Sequence, residues 1–140
     1  MPDHLTVLRD ALARAVTAVC GQPPAAVEIV PPARPEHGDL ATPVAMSMAK
    51  AAKRNPREIA DGVAAALLAD PATAGLVAGV EVAGPGFINL RMAPAWFAAV
   101  VDDALAAGPR YGAGGTSAPE PVLVEFVSVN PTGPLHVGHA

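Results

Sequence analysis

Apolar side chains recur three or four positions apart through Leu5, Leu8, Leu12, Val16 and Val19. That is the period of a helix with one buried face. It predicts a helix over residues 4–20, capped by Asp3 and stopped at Gly21 ahead of Pro23 and Pro24. Val27 to Val30 reads as a short strand, and the punctuated run from Pro31 to Asp39 as a loop. Thr42-Pro43 opens a second helix, Thr42 capping and Pro43 at its first position, which ends near Arg54. Asn55-Pro56 opens a third, with Glu58 placed for a capping box, and it runs to Ala69 before Asp70-Pro71.

Val80 and Val82 on one side of Gly84-Pro85-Gly86, and Phe87 and Leu90 on the other, predict a hairpin of two strands. Pro94 opens a last helix that carries Trp96, Phe97, Val100, Val101 and Leu105 and closes at Gly108-Pro109. Trp96 and Phe97 are expected on its core face. The order is α-β-α-α-β-β-α, an α+β domain of antiparallel strands packed with helices over residues 1–108. Residues 109–121 read as a linker, rich in Gly and Pro. Residues 122–140 read as the start of a truncated Rossmann-like nucleotide-binding domain, because Val122 to Val127, the most β-prone run in the chain, leads through a Gly/Pro loop into a helix start.

Composition narrows the options. The 140 residues are 51% hydrophobic, much of it alanine, and only 4% aromatic, so the core rests on Val, Leu, Ile and packed Ala. A net charge of −4 excludes a protein that coats nucleic acid by charge alone, while leaving room for a local basic patch. A single cysteine, Cys20, excludes a disulfide framework and a multi-cysteine zinc site, and reads as a small hydrophobe at a helix end. The N-terminus lacks a secretory signal and no stretch is long and apolar enough for a bilayer, so a cytoplasmic protein with no membrane partner is expected.

The sharpest chemistry lies at the end of the sequence, where an apolar strand passes through a Gly/Pro loop into a helix start. A helix N-terminus offers unpaired N–H groups and a positive dipole end to phosphates. Gly138 admits a planar base close to the backbone, and His136 and His139, three apart, share one helix face. Two imidazoles there can donate hydrogen bonds to charge building on a phosphate. A zinc pair and a simple helix-capping role compete with this reading.

The run from Pro134 to His139 resembles the HIGH signature of class I aminoacyl-tRNA synthetases, with Val137 in place of Ile. The longer string from Val124 to His139 is similar to the version found in arginyl-tRNA synthetases. His37 to Thr42 and Val82 to Asn89 resemble two patches of that family's N-terminal additional domain. The resemblance implies that His136, Gly138 and His139 bind ATP, with His136 and His139 catalytic in adenylation. It implies that Glu125, Ser128 and Asn130 hold L-arginine. Arginine would be activated with ATP and its Mg2+, then passed to tRNA, with no resident metal. The second signature loop and the anticodon-binding helices of the family are missing from the sequence, so the fragment is expected to be catalytically inactive. The full-length enzyme is expected to be monomeric, and the fragment to self-associate through its truncated strand.

In that family the additional domain contacts the D-loop of tRNA. Phe87 is suited to stack on an unpaired base and Asn89 to bond a base edge, both on one strand face. Phe87 as core is the competing reading. Lys50, Lys53, Arg54 and Arg57 make up four of the nine basic residues and gather at the join of two helices, where they can hold phosphates. A solvated helix end accounts for the first three but not for Arg57, at a helix start where a cation is unfavourable. Arg34, His37 and Asp39 read as mainly structural, Gly38 supplying a positive φ and Asp39 a turn hydrogen bond. A nucleotidyltransferase with an HxGH motif and a free-standing RNA-binding module are the alternative functions.

Overall fold

The structure, a computed structural model, describes residues 4–113, 120–124, 133–134 and 136. It divides into two compact units, residues 1–108 and 109–140. In the first, helix α1 (His4–Cys20) is followed by strand β1 (Leu40–Thr42), α2 (Val44–Ala52) and α3 (Pro56–Ala69). The hairpin β2 (Val77–Ala83) and β3 (Phe87–Met92) and then α4 (Pro94–Ala107) complete it. The strands form one antiparallel sheet in the order β1-β3-β2. The fold is α+β.

Alternation along β3 builds the core. Ile88, Leu90 and Met92 point to one face and pack with Leu8, Leu12 and Val16 of α1, Val44 and Met48 of α2, and Ile59, Val63 and Leu67 of α3. Burying a large aliphatic side chain contributes about 1.5–3 kcal/mol, so this one sheet face anchors three helices. Gly62 lets α3 approach α1, since a Cβ there would lie 3.1 Å from Val19 Cγ1. A forked pair ties the same helices at the surface, Arg14 donating through Nη2 (2.7 Å) and Nε (3.2 Å) to Asp70 Oδ2. The Asp70 carboxyl is held below the usual carboxylate range, first by the Ala72 N–H it accepts and then by Arg14.

Local stop and start signals act largely as expected. Gly21 takes φ +73° and its N–H closes on Thr17 O. Asn55 Oδ1 accepts Arg57 N–H at 2.8 Å to start α3, with Pro56 at its first turn. Glu58 makes no return bond among the described residues. Helix α2 starts one residue later than expected. Pro43 holds the cap position, and Thr42, last residue of β1, accepts Val44 N–H through Oγ1 at 3.3 Å.

The strand expected at Val27 to Val30 is not formed. It shrinks to one antiparallel bridge, Val30 exchanging both backbone bonds with Ala41. Pro31 and Pro32 follow at once, and neither has an N–H to extend a ladder. The strand beside β3 is instead Leu40–Thr42. Phe97 is also not on a core face. It is 46% exposed, and only Trp96 packs against the core, its ring edge-on to Phe97 with centroids 5.0 Å apart. Phe97, Val101 and Leu105, four apart, line the exposed side of α4.

In the second unit, Val122, Leu123 and Val124 are exposed and carry no regular structure, and the rest of the expected strand, residues 125–127, lies outside the described residues. No helix of the described residues is long and apolar enough to cross a membrane.

Candidate nucleic-acid interface

The sheet face opposite the helices is built by the alternate residues of β3: Phe87, Asn89 and Arg91. Register sets their neighbours. Ala83 lies opposite Phe87, Glu81 opposite Asn89 and Gly79 opposite Arg91, and on the other side Ala41 lies opposite Asn89. Phe87 is 39% exposed, so the sequence reading of Phe87 as core does not hold. Asn89 is only 6% exposed, yet its amide makes no hydrogen bond with a described residue.

That amide opens into a hollow of about 430 Å³ whose floor is Ala41, Asn89, Phe87 and Ala83 and whose wall is Val30, Pro31, Ala33 and His37. A second hollow of about 200 Å³ adjoins it, lined by Gly79, Glu81 and Arg91 together with the same His37 and Asn89. The first is apolar except for His37 and Asn89; the second carries one charge of each sign. An aromatic surface with a few convergent polar groups is the ordinary make-up of a small-ligand or base site.

The loop that walls the hollow is fixed to β3. Gly38 takes φ +120°, and a Cβ there would lie 2.6 Å from Leu90 O, so the position requires glycine on both counts. Asp39 N–H donates to Leu90 O at 2.8 Å, and Asp39 Oδ2 accepts Met92 N–H at 2.8 Å. Arg91 Nη2 donates to Glu36 O at 3.3 Å. Gly38 and Asp39 are thus structural, Gly38 with the expected positive φ, but Asp39 bonds across to Met92 of β3 rather than within a turn as expected. His37 is different: its imidazole lines both hollows and makes no side-chain hydrogen bond among the described residues. Nothing in the sequence separated it from its structural neighbours, because the distinction is which way one side chain turns.

The four cations of the α2–α3 join do unequal work. Lys50 and Lys53 are exposed, and Lys53 takes the left-handed φ of +51° that ends α2. Arg54 Nη1 donates to Val19 O at 2.8 Å, satisfying a carbonyl of the last turn of α1. Arg57 Nη1 donates to Gly84 O at 3.1 Å, which explains a cation at a helix start and brings it to the β2–β3 turn beside Phe87. Gly86 packs into the same join, with φ +133° and room for a Cβ only 2.9 Å from Pro56 O. Each guanidinium keeps further N–H groups for an anion.

Of the residues assigned to ATP and arginine by resemblance, His136 is described and exposed. Glu125, Ser128, Asn130, Gly138 and His139 lie outside the described residues.

Comparison with known proteins bears on the same region. The family model described as "Arginyl tRNA synthetase N terminal domain" matches residues 6–92. Among curated relatives named arginine–tRNA ligase, that of Bordetella avium is 49% identical over 140 residues, all of this chain and 25% of its own length. Those of Cupriavidus pinatubonensis and Cupriavidus taiwanensis are 55% and 57% identical over 81% and 74% of this chain, which cover 19% and 17% of theirs. The chain spans at most about a quarter of the length of these relatives. The match runs from α1 to the end of β3, the whole frame that holds Phe87, Asn89 and His37, and the chain belongs to the arginyl-tRNA synthetase N-terminal domain family.

Proposed function

We propose that the chain is the N-terminal part of an arginine–tRNA ligase and that its first unit contacts the D-loop corner of tRNA. The observation that carries the tRNA contact is the pairing of an exposed Phe87 with a nearly buried Asn89 whose amide has no partner among the described residues. A stacking surface and an unspent amide in one apolar hollow suit an unpaired base. Arg57, at the neighbouring turn, and the exposed Lys50 and Lys53 suit the backbone phosphates. The shared name of the relatives supports the ligase reading.

In the whole enzyme, arginine and ATP with Mg2+ give arginyl-adenylate, and arginine then passes to tRNA, in the cytoplasm. His136, Gly138 and His139 bind ATP, and Glu125, Ser128 and Asn130 hold arginine. Residues 1–108 form the tRNA-contacting domain, 109–121 the linker and 122–140 the start of the catalytic domain. The 140 residues alone do not form adenylate, and pyrophosphate exchange above background from the purified chain would overturn that.

The test of the tRNA contact is a titration of the chain against an arginine tRNA transcript and a copy with its D-loop bases replaced, at two salt concentrations. The intact transcript binds more tightly, and the difference persists at higher salt because base contacts do not depend on counterion release. Equal affinity for both transcripts would refute the contact.

A further inference from the structure

We infer that His37 is a second reader of the base held by Phe87 and Asn89, contacting a different edge from Asn89. This rests on the reading of the hollow as a base site.

Three observations carry it. First, the hollow has two polar side chains, His37 and Asn89, among apolar ones, and both also line the adjoining hollow, so they stand at the junction between the two. Second, the fold leaves the His37 side chain without a task. Its backbone N–H bonds Arg34 O, and its neighbours Gly38 and Asp39 are consumed by β3, but the imidazole bonds no described residue. Third, the surroundings select the ligand class. Glu81 and Arg91 face the smaller hollow next to the same pair, one charge of each sign, so it offers a phosphate no net attraction. The polar junction therefore suits a neutral heterocycle, with the phosphates left to the cations at the α2–α3 join.

The donor and acceptor inventory fits that ligand. The Asn89 amide offers two donors and an acceptor, enough for two adjacent positions on one base edge. A neutral imidazole offers one donor and one acceptor and can serve a second edge. Two edges read at once distinguish bases that a single amide, able to turn over, treats alike.

The experiment uses the 140-residue chain and arginine tRNA transcripts, intact and with each D-loop nucleotide in turn made abasic. His37→Ala, His37→Gln and Phe87→Ala are compared with the parent chain, with urea midpoints confirming that each folds. The expected result is a roughly tenfold weaker affinity of His37→Ala for the intact transcript, the loss typical of one desolvated hydrogen bond. No such loss is expected on the transcript abasic at the read position, and partial recovery is expected in His37→Gln. If Phe87→Ala and one abasic site weaken binding while His37→Ala matches the parent, the His37 inference fails and the base site stands. If His37→Ala weakens intact and abasic transcripts equally, base reading by His37 is refuted as well. If neither Phe87→Ala nor any abasic site matters, the base site itself is refuted and the inference with it.

Discussion

Alanine at Gly38 tests how tightly the loop that walls the hollow is fixed to the sheet. The residue sits at φ +120° and ψ −159°, a region open essentially to glycine, and an L side chain there costs about 1–3 kcal/mol. The new Cβ would also lie 2.6 Å from Leu90 O and 3.1 Å from Leu90 C, backbone atoms that cannot rotate aside. Relief requires a shift of several tenths of an ångström between the loop and β3. That shift strains both bonds of Asp39, to Leu90 O and Met92 N–H, each worth about 1 kcal/mol. The sum is roughly 3–5 kcal/mol, and the melting temperature falls by roughly 12 °C or more. Urea unfolding followed by circular dichroism measures it as a lower midpoint at unchanged slope. Gly75→Ala is the control, because Gly75 has φ +78° but nothing within 4 Å of its would-be Cβ; it costs about 1–2 kcal/mol. Equal losses at the two positions would refute the collision argument.

Removing the cap of α3 with Asn55→Ala costs about 0.5–2 kcal/mol in the same assay, and no change would mean that Arg57 N–H finds another partner. Ile88→Ala, at a fully buried position of β3, costs about 2–5 kcal/mol, and a smaller loss would show that the alanine-rich core collapses around the gap. Asp70 has its folded pKa lowered, so its contribution is present above the ordinary carboxylate value and fades as pH falls through the lowered one. Asp70→Asn therefore loses stability near neutral pH and converges on the parent as pH falls through the lowered pKa; a constant gap in urea midpoint between neutral and strongly acidic conditions would count against the linkage.

Much of the helical frame is written locally. Asn55-Pro56 starts α3 and Gly21 stops α1 through bonds that span four residues or fewer, so composition and spacing suffice to read them. The hairpin is equally local, its turn held by Gly84-Pro85-Gly86. β1 was not legible because its three residues have no pattern of their own and become a strand only by pairing with β3, about fifty positions away. Val27 to Val30 has the right residues for a strand, but the prolines after it deny it a ladder. At the site, Phe87 and Asn89 were visible from the period of two. The unspent state of the Asn89 amide and the turn of His37 toward it depend on distant loops meeting across the sheet. The tethering tasks of Arg54 and Arg57 are long-range in the same way.

The β2–β3 turn is pinned to the start of α3 twice, by Arg57 on Gly84 O and by Gly86 lying against Pro56 O. Phe87 follows that turn directly, so its ring is presented on a mount with little freedom to tilt. A partner that meets such a plate finds the ordering entropy already settled by folding rather than charged to the encounter. Under the proposed tRNA contact, association is expected to follow a single-step, lock-and-key course, its rate set by diffusion and salt, with no slow rearrangement phase at saturating RNA. Loosening either pin would add that phase before it removed any contact.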